Sequence, residues 1–282
     1  MKGCYPIALS VDLEFWWCSE LLKGVKIEDR TEIIQDAARL LLDELSRRDC
    51  RATFFILGEV AEKYPALILD ISKQGHEIAN HGASHRNVFE MTPTEFEEEV
   101  RRSTEVLADI VCQKPIGFRA PNFSFDQRTV WAYDILKSFE YRYSSSVFPF
   151  KTRLYGVPKA PLQPYSPSAS DICRHDPDGD LLEFPASVYR LAGINVPVSG
   201  GFYFRLLPVR FLRFALTRIT TSRPAVLYLH LRDIYPDAPR ISGLPLSARV
   251  FHYWGLNKAL EKLRFLLNHM KFTTVKNTLG LS

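Results

Sequence analysis

The pattern of apolar and polar residues alternates between short β-like runs and amphipathic stretches along the chain. Residues 6–11 (PIALSV) and 52–57 (ATFFIL) are apolar runs of strand length, the second of them rich in aromatic residues, which predicts two buried strands. Between them, residues 32–47 place apolar side chains at helical spacing. Residues 64–73 predict a second helix and residues 76–80 a third strand.

The same alternation continues towards the C-terminus. Thr92, Pro93 and Glu95 form the signature of a helix start with a capping box. Further strands are predicted near residues 116–119, 141–145, 181–185, 225–230 and 272–275, and helices at 128–139 and 246–270. Seven or eight strand–helix units in one chain predict an α/β fold, a closed barrel of mostly parallel strands. Because no linker interrupts the pattern, we expect one domain over residues 1–282.

Two segments depart from the regular alternation. Residues 148–167 contain five prolines, which predicts a long surface loop that could form one wall of a substrate groove. Residues 200–220 are apolar with interleaved arginines. We interpret this segment as a core helix with a basic outer face, in preference to a helix that docks on a membrane surface.

Composition is ordinary for a globular protein, with 46% hydrophobic and 24% charged residues and a net charge of +4. This charge is too small to indicate a nucleic-acid partner. The five widely spaced cysteines argue against a disulfide framework or a cysteine-based zinc site. With no signal-peptide segment and no apolar run of membrane-spanning length, these features predict a cytoplasmic protein, with contact at the membrane face left open.

Candidate chemistry falls at the ends of predicted strands. Asp12 and Glu14 follow the first strand, and alternate residues of a strand point the same way. His81 and His85 follow the third strand, and would share one face if this segment were helical. Two imidazoles and one carboxylate leave a coordination position open, which is typical of a catalytic metal site. Solvated loop carboxylates and structural histidines are the competing interpretation.

Three more polar residues follow later strands. Arg119 ends the fourth strand and could hold a catalytic carboxylate in place, or form a surface ion pair. The N–H of Asn122 could point into the site after the turn at Pro121. His230 ends the strand at 225–230 and is a candidate general acid, or a structural histidine at the strand end.

Four ordered segments resemble the motifs of the polysaccharide deacetylase family, whose shared domain is the NodB-homology domain. They are SVDLE at residues 10–14, HGASH at 81–85, RAPN at 119–122 and LYLH at 227–230. The resemblance spans about residues 7–230. It implies a distorted (β/α) barrel with seven or eight strands and a bound divalent metal, most commonly Zn²⁺, with Co²⁺, Ni²⁺ or Fe²⁺ as alternatives.

The resemblance also implies roles for individual residues. Glu14, His81 and His85 would bind the metal, and Asp12 would act as the base. Arg119 would orient Asp12, His230 would act as the acid, and the N–H of Asn122 would face the oxyanion. The substrate would be an N-acetylated glycan or amino-sugar conjugate.

The chain departs from the family pattern in three places. The opening motif has Asp-x-Glu in place of Asp-Asp, and Asn122 stands where relatives carry an aromatic residue. The family's aspartate that braces the acid histidine is not evident, since residues 143–146 read YSSS. We consider Glu183 as a substitute for this aspartate.

Three functions are consistent with these residues. The first is removal of N-acetyl groups from amino sugars, which releases acetate and free amine. The second is hydrolysis of another C–N bond, in a cyclic amide or ureide. The third is a carbohydrate-binding protein whose catalysis has decayed, for which the missing bracing aspartate is the main support. The sequence leaves the glycan and the oligomeric state open.

Overall fold

The computed structural model describes residues 4–27, 30–152 and 154–281. Within them the strands are β1 Ile7–Leu13, β2 Thr53–Ile56, β3 Glu77–Asn80, β4 Gly117–Phe118, β5 Tyr143–Ser144, β6 Pro167–Ser168, β7 Asp171–His175, β8 Leu182–Glu183, β9 Val188–Leu191, β10 Ile194–Pro197, β11 Ala225–His230 and β12 Phe272–Thr273. The helices are α1 Ile34–Ser46, α2 Gly58–Lys63, α3 Pro65–Lys73, α4 Pro93–Val111, α5 Ala132–Ser138, α6 Gly201–Leu206, α7 Val209–Ile219, α8 Leu231–Ile234, α9 Leu246–Tyr253, α10 Leu256–His269 and α11 Val275–Thr278.

Eight strands form the central sheet. Its order is β11–β1–β2–β3–β4–β5–β8, with β12 paired to the start of β1. Every pair in this sheet is parallel. The predicted distorted (β/α) barrel is therefore confirmed. It is less regular than the closed barrel that the alternation alone predicts, because β8 and β11 do not pair within the described ranges.

The apolar core has two layers. The larger lies between the outer face of the sheet and its helices, where Leu9 and Phe54 pack with residues of α1, α7 and α10. The smaller fills the barrel interior, where Phe55, Tyr143 and Phe184 are buried. Such a filled interior leaves substrate only the rim of the barrel.

Strand register brings the polar residues to one rim. Asp12 lies opposite His230 of β11 in the parallel pairing. Asn80, the last residue of β3, lies opposite Phe118 of β4. His81 and Arg119 each follow directly, so the chain leaves these strands at the same carboxyl-terminal edge.

The single helices predicted over residues 200–220 and 246–270 are wrong, because each stretch is divided into two helices. Residues 200–220 form α6 and α7, separated by Pro208, which lacks the N–H that a continuous helix needs. Residues 246–270 form α9 and α10, separated at Gly255, whose φ is +72°. The capping box of Thr92 and Glu95 at the start of α4 is confirmed.

The second half of the chain adds features that periodicity did not indicate. Two antiparallel hairpins, β6–β7 and β9–β10, flank β8. Between residue 148 and Pro167 the described residues form no helix or strand, as the prolines predict. Within the described part of the chain, no helix combines the length and apolarity needed to cross a membrane.

Candidate active site

The predicted metal ligands meet at the barrel rim. Ligand atoms of Glu14, His81 and His85 all lie within 4.8 Å of one another. Glu14 Oε2 lies 3.3 Å from His81 Nε2 and 2.6 Å from His85 Nε2. Two imidazole nitrogens and a carboxylate oxygen at these separations fit a divalent cation such as zinc. The assignment of these residues as ligands stays a prediction.

The loop that carries the two histidines is not helical, so the expected helical spacing is wrong. Gly82 has a φ of +80° and His85 a φ of +58°, which turn the chain sharply. Glu99 of α4 braces this turn, because its carboxylate accepts hydrogen bonds from the backbone N–H of Ala83 (2.9 Å) and Ser84 (2.8 Å). The sequence gives no local signal for Glu99, since the contact depends on how α4 packs.

Hydrogen bonding fixes which nitrogen of His81 faces the site. His81 Nδ1 lies 2.8 Å from the carbonyl oxygen of Arg119 and can only donate to it. The lone pair of Nε2 is therefore directed towards Glu14, as a metal-binding histidine requires. This second contact is the usual way in which proteins orient such ligands.

The cluster favours positive charge. Burial raises the pKa of Glu14, but the charges of His85 and His230 outweigh burial and hold that pKa well below its usual value. Burial lowers the pKa of His85, but the Glu14 carboxylate outweighs burial and raises it overall. The Glu14 carboxylate therefore favours a positive charge beside it, which a bound cation would also supply.

Asp12 is held rigidly by Arg119. Arg119 Nη1 donates to Asp12 Oδ1 at 2.6 Å, and both side chains are buried. The guanidinium also donates to the carbonyl and hydroxyl oxygens of Ser145, each at 3.0 Å, and lies over the ring of Phe55. These contacts leave Asp12 Oδ2 free of Arg119, at 3.9 Å from His230 Nε2.

The carboxylate that braces His230 is Asp233. His230 Nδ1 donates to Asp233 Oδ2 at 2.9 Å, and the backbone N–H of His230 donates to the same oxygen at 3.0 Å. Burial lowers the pKa of His230, but the Glu14, Asp233 and Asp12 carboxylates raise it to about 9. Asp233, which was not evident from the family pattern, therefore supplies the bracing carboxylate.

Glu183 does not replace the family's aspartate at His230. Its Oε1 accepts hydrogen bonds from the N–H groups of Ser146 (2.8 Å) and Val147 (2.9 Å), and Oε2 accepts one from Tyr133. It holds the turn after β5. The signal for Asp233 was present in the sequence as His-x-x-Asp, a spacing that joins both side chains across one helical turn.

Asn122 lines the site cavity, and its backbone is left-handed, with a φ of +54°. Its side chain donates to Asn87 Oδ1 at 2.8 Å, so the amide group is anchored outside the reaction centre. The structure therefore leaves its backbone N–H as the group to test as an oxyanion donor.

A cavity of about 330 Å³ opens over these residues. Aromatic side chains form much of its wall: Phe123, Tyr155, Phe202, Tyr203, Tyr228 and Phe251. Phe15 and Trp16, which follow β1, are buried, and neither lines the cavity. A cavity of this size and polarity can enclose one sugar ring.

Known families cover the chain in two parts. Residues 28–144 match a family model described as polysaccharide deacetylase. Residues 145–280 match a model described as a domain of unknown function, DUF3473. His81, His85 and Arg119 fall in the first part, His230 and Asp233 in the second.

Curated proteins of similar sequence include deacetylases. The chain is 36% identical over 81 residues to a peptidoglycan-N-acetylglucosamine deacetylase of Bacillus cereus. This matched segment is 29% of this chain and 30% of that protein. The chain spans less than half the length of the first curated relatives that it matches.

Solved structures show the same fold over the whole chain. A candidate polysaccharide deacetylase from Mycobacterium smegmatis has a TM-score of 0.65 at 20% identity, covering 100% of this chain and 92% of that one. An allantoinase has a TM-score of 0.62 at 14% identity, covering 100% and 91%. Fold and site together define a distorted (β/α) barrel with a candidate metal centre. Residues 28–144 match the polysaccharide deacetylase family, which agrees with the resemblance seen in the sequence motifs.

Proposed function

We propose that this protein is a metal-dependent hydrolase that removes N-acetyl groups from amino-sugar residues of a glycan or glycoconjugate. The observation that carries the proposal is the convergence of Asp12, Glu14, His81, His85 and His230 on one aromatic-lined cavity. His230 tends to be protonated, as a general acid must be, and Asp12 is held in place by Arg119, as a general base requires.

The metal would be held by Glu14, His81 and His85. Zinc is the first candidate, with cobalt, nickel and iron as alternatives, since all accept imidazole and carboxylate ligands. When bound, such a cation polarises a carbonyl oxygen and makes water a stronger acid. This donor set keeps a coordination position open for that chemistry.

The protein's own residues would move the protons. Asp12, fixed by Arg119, accepts a proton from the attacking water through Oδ2, the oxygen that Arg119 leaves free. His230 donates a proton from Nε2 to the departing amine, and Asp233 keeps that imidazole oriented. The N–H of Asn122 would donate to the oxyanion, a contact typically worth about 3 kcal/mol.

Asp233 also bears on the competing functions. The main argument for a carbohydrate-binding function with decayed catalysis was the missing bracing carboxylate. The structure provides that carboxylate, because Asp233 lies 2.9 Å from His230. The aromatic wall of the cavity favours sugar rings over a cyclic ureide, because pyranose faces stack on such side chains. A single domain over residues 1–282 is part of the proposal, since β11 of the second family segment pairs with β1.

The test is acetate release by the purified, metal-analysed protein from N-acetylglucosamine oligomers, with a cyclic ureide assayed in parallel. Asp12→Asn should keep its metal content and lose turnover by roughly 10²-fold or more. Asp36→Asn, the same change at an exposed site on α1, is the matched control. Hydrolysis by Asp12→Asn at the parent rate, or turnover of the ureide alone, would contradict the proposal.

A further inference from the structure

Beyond the catalytic residues, the cavity wall contains a second buried polar cluster. Arg205, Arg232 and His252 line the cavity on the side formed by α6, α8 and α9. Arg232 is 9% exposed and His252 is 2% exposed. Neither residue has a part in the proposed hydrolysis.

Arg205 is fully occupied by protein partners. Its Nε donates to Asp233 Oδ1 at 3.1 Å, and its other nitrogens donate to the carbonyl oxygens of Phe251, His252 and Trp254. Asp233 is in turn shared between Arg205 and His230. Arg205 is therefore structural. The carboxylate of Asp233 is already engaged by Arg205 and His230.

Arg232 lacks a comparable partner. No carboxylate of the described residues lies within ion-pairing distance of its guanidinium, and its Nη1 contacts the neutral ring nitrogen His252 Nδ1 at 2.7 Å. Burial of this guanidinium is only partly compensated, since desolvation lowers the pKa of Arg232 and the longer-range attraction of Asp233 does not restore it. Such a charge is most easily explained if a ligand supplies the anion.

The contact with Arg232 also fixes the tautomer of His252. A guanidinium only donates, so Nδ1 accepts and the proton of the neutral ring sits on Nε2. Burial and the charges of Arg232 and Arg205 lower the pKa of His252 to about 3, which keeps the ring neutral. His252 Nε2 and Arg232 Nε are both buried donors without an acceptor among the described residues.

We propose that Arg232 and His252 form an anion-binding subsite that takes a carboxylate or phosphate substituent of the amino-sugar substrate. The proposal rests on the proposed function, because it assumes that the acetamide lies at His230 in the same cavity. Arg232 and His252 themselves offer only donors and one positive charge, so a ligand bound to them must offer acceptor oxygens, preferably anionic ones. Arg232 and His230 line the same cavity, so a ligand group at Arg232 would belong to the molecule that reacts at His230.

The test compares three probes that share one ring: N-acetylglucosamine, N-acetylmuramic acid with a carboxylate, and N-acetylglucosamine 1-phosphate. Dissociation constants are measured by titration of the metal-loaded protein. We expect at least one charged probe to bind about 10- to 100-fold more tightly than the neutral one, as for a charge-assisted hydrogen bond. The charged probe that binds more tightly identifies whether the subsite takes a carboxylate or a phosphate.

Arg232→Gln should reduce this preference to within about twofold, whereas Arg218→Gln, an exposed arginine of α7, should retain it. If Arg232→Gln fails to fold, Arg232→Met provides the same test, because it removes the charge while keeping most of the side-chain length in a buried site. Equal binding of all three probes by the parent protein would refute the subsite. So would a preference that survives both variants, or acetate binding with the same dependence on Arg232.

Failure of the subsite and failure of the proposed function are distinguishable. Acetate release without any preference for charged probes would leave the hydrolase proposal intact and refute the subsite. Arg232-dependent binding of a charged probe without acetate release from any of the three would support the subsite and contradict the hydrolase proposal.

Discussion

Asp233 joins the proposed acid to the protein scaffold, and replacing it with asparagine tests that connection. Its carboxylate accepts two hydrogen bonds from His230 and one from Arg205, and it is 3% exposed. Asparagine keeps the volume but loses the charge and one acceptor. The amide NH2 of asparagine would then face an N–H of either His230 or Arg205, and these two donors would repel each other.

The expected magnitude follows from these contacts. Removing one partner of a buried ion pair costs about 3–5 kcal/mol. We expect about 3 kcal/mol, the lower end, because Arg205 keeps three carbonyl acceptors. For a chain of this size that loss lowers Tm by roughly 6–12 °C. Loss of an oriented general acid should lower kcat by about 10²- to 10⁴-fold.

The pKa of His230 gives a second readout. It lies at about 9, above the usual value of 6.5, so its stabilising effect is complete below pH 6.5 and is lost as pH rises through 9. Asp233→Asn removes one of the carboxylates responsible, and the pKa should fall. NMR titration of the metal-free protein measures this value directly, and the alkaline limb of the pH–rate profile should move to lower pH.

The control is Asp237→Asn, the same change at an exposed aspartate four residues further along the chain. It should leave Tm, kcat and the His230 titration at parent values. The reasoning about Asp233 is refuted if Asp233→Asn also keeps parent activity and an unchanged pKa for His230.

Three further predictions concern other parts of the structure. His81→Gln and His85→Gln should each lower the metal content of the purified protein, measured by elemental analysis, and parent-like content in both would contradict the ligand assignment. Burial lowers the pKa of His76 to about 4, so stability should fall by up to about 3 kcal/mol as pH drops from 6.5 to 4, and urea denaturation should show a flatter pH profile for His76→Gln. Gly255→Ala should lower Tm, because a Cβ there would lie 2.7 Å from the carbonyl oxygen of Arg205 at a φ of +72°; an unchanged melting curve would rule this out.

Local sequence pattern was sufficient for the strands that build the site. The runs that became β1, β2 and β11 are largely apolar because both faces of each strand are covered, and this signature is readable without a partner. Helix boundaries were less accurate where a single residue interrupts an apolar stretch, as at Gly255. The periodicity on either side of that glycine is helical, so the break depends on its left-handed backbone.

The sequence by itself determined the chemical inventory: carboxylates and histidines at strand ends, in an order that resembles one family. Tertiary structure decided which residues serve them. Glu99 supports the histidine loop from α4, Arg205 of α6 shares the carboxylate of Asp233 with His230, and Arg232 is buried against His252. Periodicity depends on neighbours along the chain, whereas these pairings depend on how distant segments pack, and their energies arise only when burial removes water from the partners.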